Sequence, residues 1–372
     1  MKRISTFDDW IDLFHEWQED VEVERSLMGD YQFETKFGEL PEAEIEFGSF
    51  AGGRKWEKLN EIPDQRIKDG LLRLITVQGD TEFASVEQQR HLFKTAPSEY
   101  DLQGLARIQR EEARHGWQMC YLLVDQFGSS GAIEAQKLLE RRAFQGTRIL
   151  GSFNAKVANW LDFFSYTEFI DRDGKYQLVM LKHSAFAPLA RSTVAMLREE
   201  AHHMATGHDG LKRTIRHGKI PTEIIQRRFN HWISTAYDLF GNDESTSAEW
   251  AYVWGLKGRF DQGENDREVA TGHLNEYNRD LYYHEAAGLV DLLNQEIPPG
   301  SPRLYVPDQR FRRSIGHFAG QRFSVHGEPL SPAEYERHLA EVLPRPEDDA
   351  FLDQIMREGD WITPRKATIV QR

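Results

Sequence analysis

The chain has 372 residues, 40% of them hydrophobic and 28% charged, the balance of a globular protein whose core closes without disulfides or a structural metal. Its 46 Lys and Arg against 60 Asp and Glu give a net charge of -14, which opposes the broad basic field of a nucleic-acid binder. The single cysteine, Cys120, excludes an internal disulfide, a Cys-rich zinc site and a thiolate-held cluster within the chain, and fits a reducing, cytoplasmic setting.

Residues 1–60 read as an N-terminal extension packed on the core. Phe7 to Trp17 is amphipathic but interrupted by Asp8, Asp9, Asp12 and His15, so it lacks the apolar stretch of a secretory signal. Pro41, Gly48, Gly52 and Gly53 then mark an irregular region. No later run approaches membrane-spanning length, so neither a membrane nor a nucleic acid is an expected partner.

Residues 61–241 carry helical periodicity, with few segments alternating as strands do. One helix is expected from Asp64 to Leu92, stopping before Pro97. A second starts at Ser98, with Asp101 completing a capping box, and stops at Gly128. Ala132 to Ala143 forms a short connector. Ile149 to about Ile170 reads as an aromatic-rich helix ending at the turn signal Asp171-Arg172-Asp173-Gly174. Pro188 opens a helix reaching about Gly218, and Thr222 to Phe240 adds one more. Residues 242–372 read as a helical and irregular covering region, in which Ser331-Pro332-Ala333-Glu334 starts a helix; the last residues are expected to be loose.

A Glu and a His three residues apart on a helix share a face and can hold one metal ion together. Glu112 and His115 have this spacing, on the stripe that carries Leu105, Ile108, Met119 and Leu122. Glu200 and His203 repeat it, on the stripe of Leu189 and Met196, which favours this frame over the overlapping Glu199 and His202. Upstream, Leu71, Ile75, Gln78, Glu82 and Val86 form a stripe holding one carboxylate, and Asp171 ends a stripe through Phe153, Val157 and Phe164.

The two halves therefore repeat one plan, which is that of an all-α, ferritin-like four-helix bundle with a di-metal carboxylate centre. Four carboxylates balance the charge of two divalent ions, and donors without thiolate suit iron or manganese, in one or both sites, better than a closed structural zinc site. Asp171 competes with the nearby Glu168 and Asp173. His91, His183, His202 and His208 read as solvated groups or neighbours of the ligands, and Cys120 as a small core residue.

The run Gln78-Gly-Asp-Thr-Glu82-Phe-Ala-Ser-Val-Glu-Gln-Gln-Arg90, with Thr95 to Asp101, Glu111-Glu-Ala-Arg-His115, Asp171 to Gly174 and Glu199-Glu-Ala-His-His203, closely resembles the benzoyl-CoA 2,3-epoxidases. The phenylacetyl-CoA epoxidase catalytic subunits are more distant relatives. The resemblance extends from about Leu71 through the helix at Thr222 and resumes at Phe311 to Gly320 and at Glu334 to Pro344. It implies one iron held by Glu82, Glu112 and His115 and another by Asp171, Glu200 and His203, and prefers Asp171 over Glu168 and Glu200 over Glu199. It also implies a monooxygenase that epoxidises the ring of an aryl-CoA thioester with dioxygen, drawing electrons from a separate NADPH-dependent flavin/iron–sulfur reductase. The protein would act as a monomer or homodimer.

Gln78, one helical turn before Glu82 on the same face, is the candidate substrate-binding residue, although packing near the site accounts for it equally well. Arg141, Arg142 and Arg148, or Lys212 and Arg213, are the basic groups nearest to bundle-helix ends, although a solvated charged face accounts for them as well. The chain is shorter than the benzoyl-CoA enzymes, in its N-terminal region and between about Gly258 and Ser301, and has Phe83 where that family has proline; a different aryl-CoA would fit such a change. The rival readings are another ferritin-like di-metal oxidase, of the ribonucleotide reductase small-subunit or ligand-binding type, an iron-storage or peroxide-scavenging protein, and a metal-free helical scaffold. A radical-generating protein of that type expects tyrosine one turn after the first histidine, where this chain has Met119.

Overall fold

The computed structural model describes Ile4, residues 6–23, Ser26, and residues 34–243, 245–263 and 273–365. The loose C-terminal end expected from the sequence lies largely outside them. Among the described residues there is no strand, only isolated bridges such as Glu44 to Arg54 and Trp56 to Phe186, and the fold is all-α and ferritin-like. No helix among the described residues is long and apolar enough to cross a membrane.

Helix α1 (Phe7–Asp20) starts at a capping box in which Thr6 and Asp9 bond each other's backbone. Its spacing puts Trp10, Phe14 and Trp17 on one buried face. Trp10 stacks on Trp117 at 5.0 Å between centroids and Trp17 meets Phe83 at 4.8 Å. Phe83 thus anchors the extension to the bundle. Residues 41–56 run on irregularly, and the buried Lys55 ties them down by donating to the carbonyls of His183 and Ser184 at 3.1 and 3.2 Å.

The bundle consists of α2 (Gln65–Gln89), α3 (Glu99–Glu140), α4 (Trp160–Lys182) and α5 (Ala187–His217). Helix α2 packs most extensively on α3, and α4 on α5. Ser98 caps α3 through the backbone of Asp101, as its sequence predicts. At Gly128 the backbone turns to φ 56°, ψ -129°, which breaks α3 into the expected long helix and short connector. Gly207 of α5 serves a different need: a Cβ there would lie 2.5 Å from Thr167 Oγ1 and 2.6 Å from the backbone nitrogen of Glu168. Without a side chain at this point, α5 lies directly against α4.

The expected end of α4 at Asp171 to Gly174 is incorrect. The helix starts later, at Trp160 after the Asn159 cap, and continues unbroken to Lys182. Phe153 and Val157 precede it, in a 3-10 turn and an extended segment rather than on a helical stripe. Turn-forming composition loses here to packing. Arg172 reaches Glu285 at 2.5 Å, Asp173 accepts from Gln177 at 3.0 Å, and Tyr176 stacks on Phe260 at 3.8 Å. These contacts exceed the ~1 kcal/mol that a mid-helix glycine costs.

Around the bundle, α6 (Thr222–Leu239) packs on α4, followed by α7 (Thr246–Val253), α8 (Leu274–Leu293), α9 (Pro332–Val342) and α10 (Pro346–Glu358). Helix α9 begins at the Ser331–Glu334 capping box read from the sequence. The carboxylate of Asp243 caps α8, accepting from the backbone nitrogens of Asn275 and Glu276 at 2.7 and 2.9 Å. Residues 239–243 and 245–258 and the start of α8 close over one end of α2 and α4.

Candidate metal centre

Each bundle helix contributes to one buried cluster: Glu82 from α2, Glu112 and His115 from α3, Asp171 from α4, and Glu200 and His203 from α5. Ligand atoms of Glu82, Glu112, His115 and Glu200 lie within 4.8 Å of one another, as do those of Glu112, Asp171 and His203. All six residues suggested by helical spacing therefore meet. Because α4 does not end at Asp171, this carboxylate sits in mid-helix.

The imidazoles face each other with centroids 6.1 Å apart, each turning Nδ1 toward the carboxylates. His115 Nδ1 lies 3.2 Å from Glu82 and 3.5 Å from Glu200, and His203 Nδ1 lies 3.4 Å from Glu200, 3.5 Å from Glu112 and 4.0 Å from Asp171. Glu112 also stands 3.9 Å from His115. Glu112 and Glu200 thus lie between the two imidazoles, while Glu82 belongs to the His115 side and Asp171 to the His203 side. Spacing alone cannot reveal such sharing, because it ranks residues along one helix.

The outward nitrogens have partners that the sequence reading set aside. His115 Nε2 is 2.8 Å from Glu199 Oε2, and His203 Nε2 is 3.0 Å from Glu111 Oε2. Glu199 also pairs with Arg114 and, at 3.0 Å, with Lys36; Glu111 pairs with Arg107 at 2.8 Å. These cations neutralise the outer acids, so the inner four carboxylates dominate the local charge.

Burial drives the Glu112 carboxyl well above the ordinary carboxylate range, with the Glu82 charge adding to it, and burial together with Glu200 does the same to Asp171. Burial disfavours the charged form of Glu82 as well, but its hydrogen bond to His115 prevails and holds its pKa below normal. For His203 burial is outweighed by the Glu200 charge and the bond to Glu111, which raise its pKa well above normal. Asp171 Oδ2 and His203 Nδ1 are buried with no hydrogen-bond partner among the described residues. Unpartnered lone pairs and crowded acids of this kind are what two divalent cations would satisfy: oxygen and imidazole ligands, four negative charges and no thiolate. The residues present fit a di-metal centre.

The remaining candidates are placed as follows. Gln78 donates to Glu82 Oε1 at 2.5 Å and lines the adjoining cavity. Glu168 is buried on another face, 3.1 Å from His208 and 3.5 Å from Arg172. Asp173 lies in the cavity wall, its carboxyl pushed up to about 7 by burial. His183 pairs with Glu46 at 2.7 Å, away from the cluster. The basic groups are taken up by acids: Arg148 by Asp80 and Glu87, Arg141 by Asp80, Arg142 by Asp20, Lys212 by Glu296 and Arg213 by Asp101. Tyr166, not singled out from the sequence, lines the cavity with a buried hydroxyl.

That cavity, of about 330 Å³, starts at Glu82, Glu112, Asp171 and Glu200 and extends between α2 and α4 toward the covering segment. Its wall includes the apolar side chains of Ile170, Leu178, Leu181 and Phe153, the character of a small-molecule site.

Residues 56–261 match the family described as phenylacetic acid catabolic protein. The chain is 37% identical to the benzoyl-CoA oxygenase component B of Aromatoleum evansii, across 87% of this chain and 77% of that protein. It is 23% identical to one of the subunits of the 1,2-phenylacetyl-CoA epoxidase of Escherichia coli (strain K12), across 58% of this chain and 61% of that protein. With the family match spanning the bundle and a relative of this identity aligned over most of both lengths, the chain belongs to the phenylacetic acid catabolic protein family.

Proposed function

We propose that the protein is the oxygenase component of a di-iron system that epoxidises the aromatic ring of an aryl-CoA thioester, a benzoyl-CoA-like substrate, using dioxygen and electrons from a separate reductase. The observation that carries this reading is the convergence of Glu82, Glu112, His115, Asp171, Glu200 and His203 at one end of an apolar cavity. These six residues would hold the ions, iron in preference to manganese. When bound, the two irons supply dioxygen activation, chemistry that side chains alone do not perform.

The chain's own residues do the rest. Glu111 and Glu199 fix both imidazoles with Nδ1 inward, so that each presents its donor to the cluster without reorganising. The apolar wall of Ile170, Leu178 and Leu181 receives the ring and excludes water. Gln78 orients the Glu82 carboxylate through its amide and borders the space in which the ring would lie. The names of both relatives, one an aryl-CoA oxygenase component and the other part of an aryl-CoA epoxidase, support the substrate class, and "component B" supports a partner component. A cytoplasmic protein acting as monomer or homodimer is consistent with this reading.

The test is to load the chain anaerobically with Fe(II), count iron, and incubate it with a reductase, labelled dioxygen and a panel of aryl-CoA thioesters. Two irons per chain and one labelled oxygen atom in the ring are expected. Absence of labelled product from every thioester would overturn the proposal.

A further inference from the structure

The two ends of the cavity differ in chemistry. The inner end holds the four carboxylates; the outer end holds Lys257 beside Gln177, with the amides of Asn242 and Asn275 nearby. Gln177 follows Asp171 by six residues on α4, so the ends are about 9 Å apart along the helix axis. Gly174 lies between them, and a Cβ there would meet no atom within 4 Å, so the passage stays open.

Lys257 comes from the covering segment, whose backbone is pinned to α4 and the turn after it. Gly258 N donates to the Met180 carbonyl at 3.0 Å, and the Gly255 carbonyl accepts from Ala185 N at 2.7 Å. Its ammonium donates to Gln177 Oε1 at 2.6 Å, and no carboxylate among the described residues forms an ion pair with it. Burial disfavours its charge, with Asp173 and Asp243 acting in the opposite sense through space. An ammonium has three donors, and among the described residues the Gln177 amide oxygen is the one acceptor it reaches. A half-buried cation with donors to spare in a cavity wall suits an acceptor from whatever fills the cavity. The acidic inner end would repel an anion, and the apolar side chains of the wall suit a ring.

We propose that Lys257, steadied by Gln177, binds the thioester carbonyl oxygen of the aryl substrate and so sets which part of the ring faces the carboxylate end. This rests on the aryl-CoA reading above and names the group that enforces it. Lys257 thereby discriminates an aroyl thioester from a ligand with the same ring and coenzyme but no carbonyl.

The experiment measures binding by calorimetry, without reductase, to the iron-loaded full chain. The ligands are benzoyl-CoA and its thioether analogue S-benzyl-CoA. The unmodified protein should favour the thioester by about ten-fold or more, the scale of one charged hydrogen bond. Lys257→Met should remove that preference, leaving S-benzyl-CoA affinity within about two-fold and two irons per chain. If Lys257→Met keeps the preference, the proposal is overturned and the aryl-CoA reading stands. If the unmodified protein binds both ligands equally, the proposal likewise fails, whether or not the variant folds. If it binds neither, the aryl-CoA reading falls and the proposal with it.

Discussion

Glu199 on α5 accepts from His115 on α3 at 2.8 Å, across 84 residues of chain, while its neighbour Glu200 points into the cluster. Adjacent residues on a helix diverge by about 100°, so one Glu-Glu pair serves both an inner and an outer role. Glu111 and Glu112 do the same toward His203. Replacing Glu199 by Ala should weaken metal binding about 10- to 100-fold, the usual loss when the acid behind a ligating histidine is removed. Competition against a chelator of known affinity measures it, and a change below two-fold would show that His115 needs no such support.

Metal should stabilise the fold measurably. Ions that bind only the native state add about 2.7 kcal/mol when present at 100-fold over Kd. Thermal melts with and without Fe(II) under anaerobic conditions should therefore separate for the unmodified chain. For Glu112→Ala and His203→Ala the two melts should coincide, turnover should vanish, and helical circular dichroism should persist. Full activity in either variant would refute the ligand assignment.

Close contact between α4 and α5 at Gly207 predicts a packing defect that reaches the site. Gly207→Ala places a methyl group against Thr167 and the backbone of Glu168, and such overpacking costs about 1–3 kcal/mol. Because α4 carries Asp171 and α5 carries Glu200 and His203, the urea midpoint and the iron content should fall together. A lower midpoint with unchanged iron would mean that the helices relax without moving the ligands.

His231 on α6 gives a pH dependence remote from the cluster. Burial, with the charges of Arg312 and Arg228, pushes its pKa down to about 3, and Arg312 Nη1 lies 3.1 Å from its Nδ1. The native state keeps the ring neutral while the unfolded chain takes up a proton near pH 6.5. The unfolded state therefore binds more protons below that pH, and stability falls as pH drops from about 6.5 toward 3. His231→Asn, which keeps an acceptor for Arg312, should flatten the melting temperature over this interval. A slope identical to that of the unmodified chain would exclude His231 as its source.

Much of the bundle was legible from local signals. Ser98, Gly128, Gly218 and Ser331 mark helix ends where the structure has them, because caps and left-handed glycines act within a few residues. Asp171-Arg172-Asp173-Gly174 misled because a turn signal is a weak preference. Contacts to Glu285, Gln177 and Phe260, two of them distant in sequence, override it.

The same division holds at the site. Which acids and imidazoles share a helix face follows from a period of 3.6 residues, so Glu82, Glu112, His115, Glu200 and His203 were readable as a set from the chain alone, with Asp171 ambiguous beside Glu168. The position of Glu112 and Glu200 between both imidazoles, the support of each histidine by the other helix's outer glutamate, and the arrival of Lys257 at the far end of the cavity were decided only by tertiary structure. Periodicity describes directions around a single helix axis, whereas these relationships depend on how close and at what height four separate axes are packed.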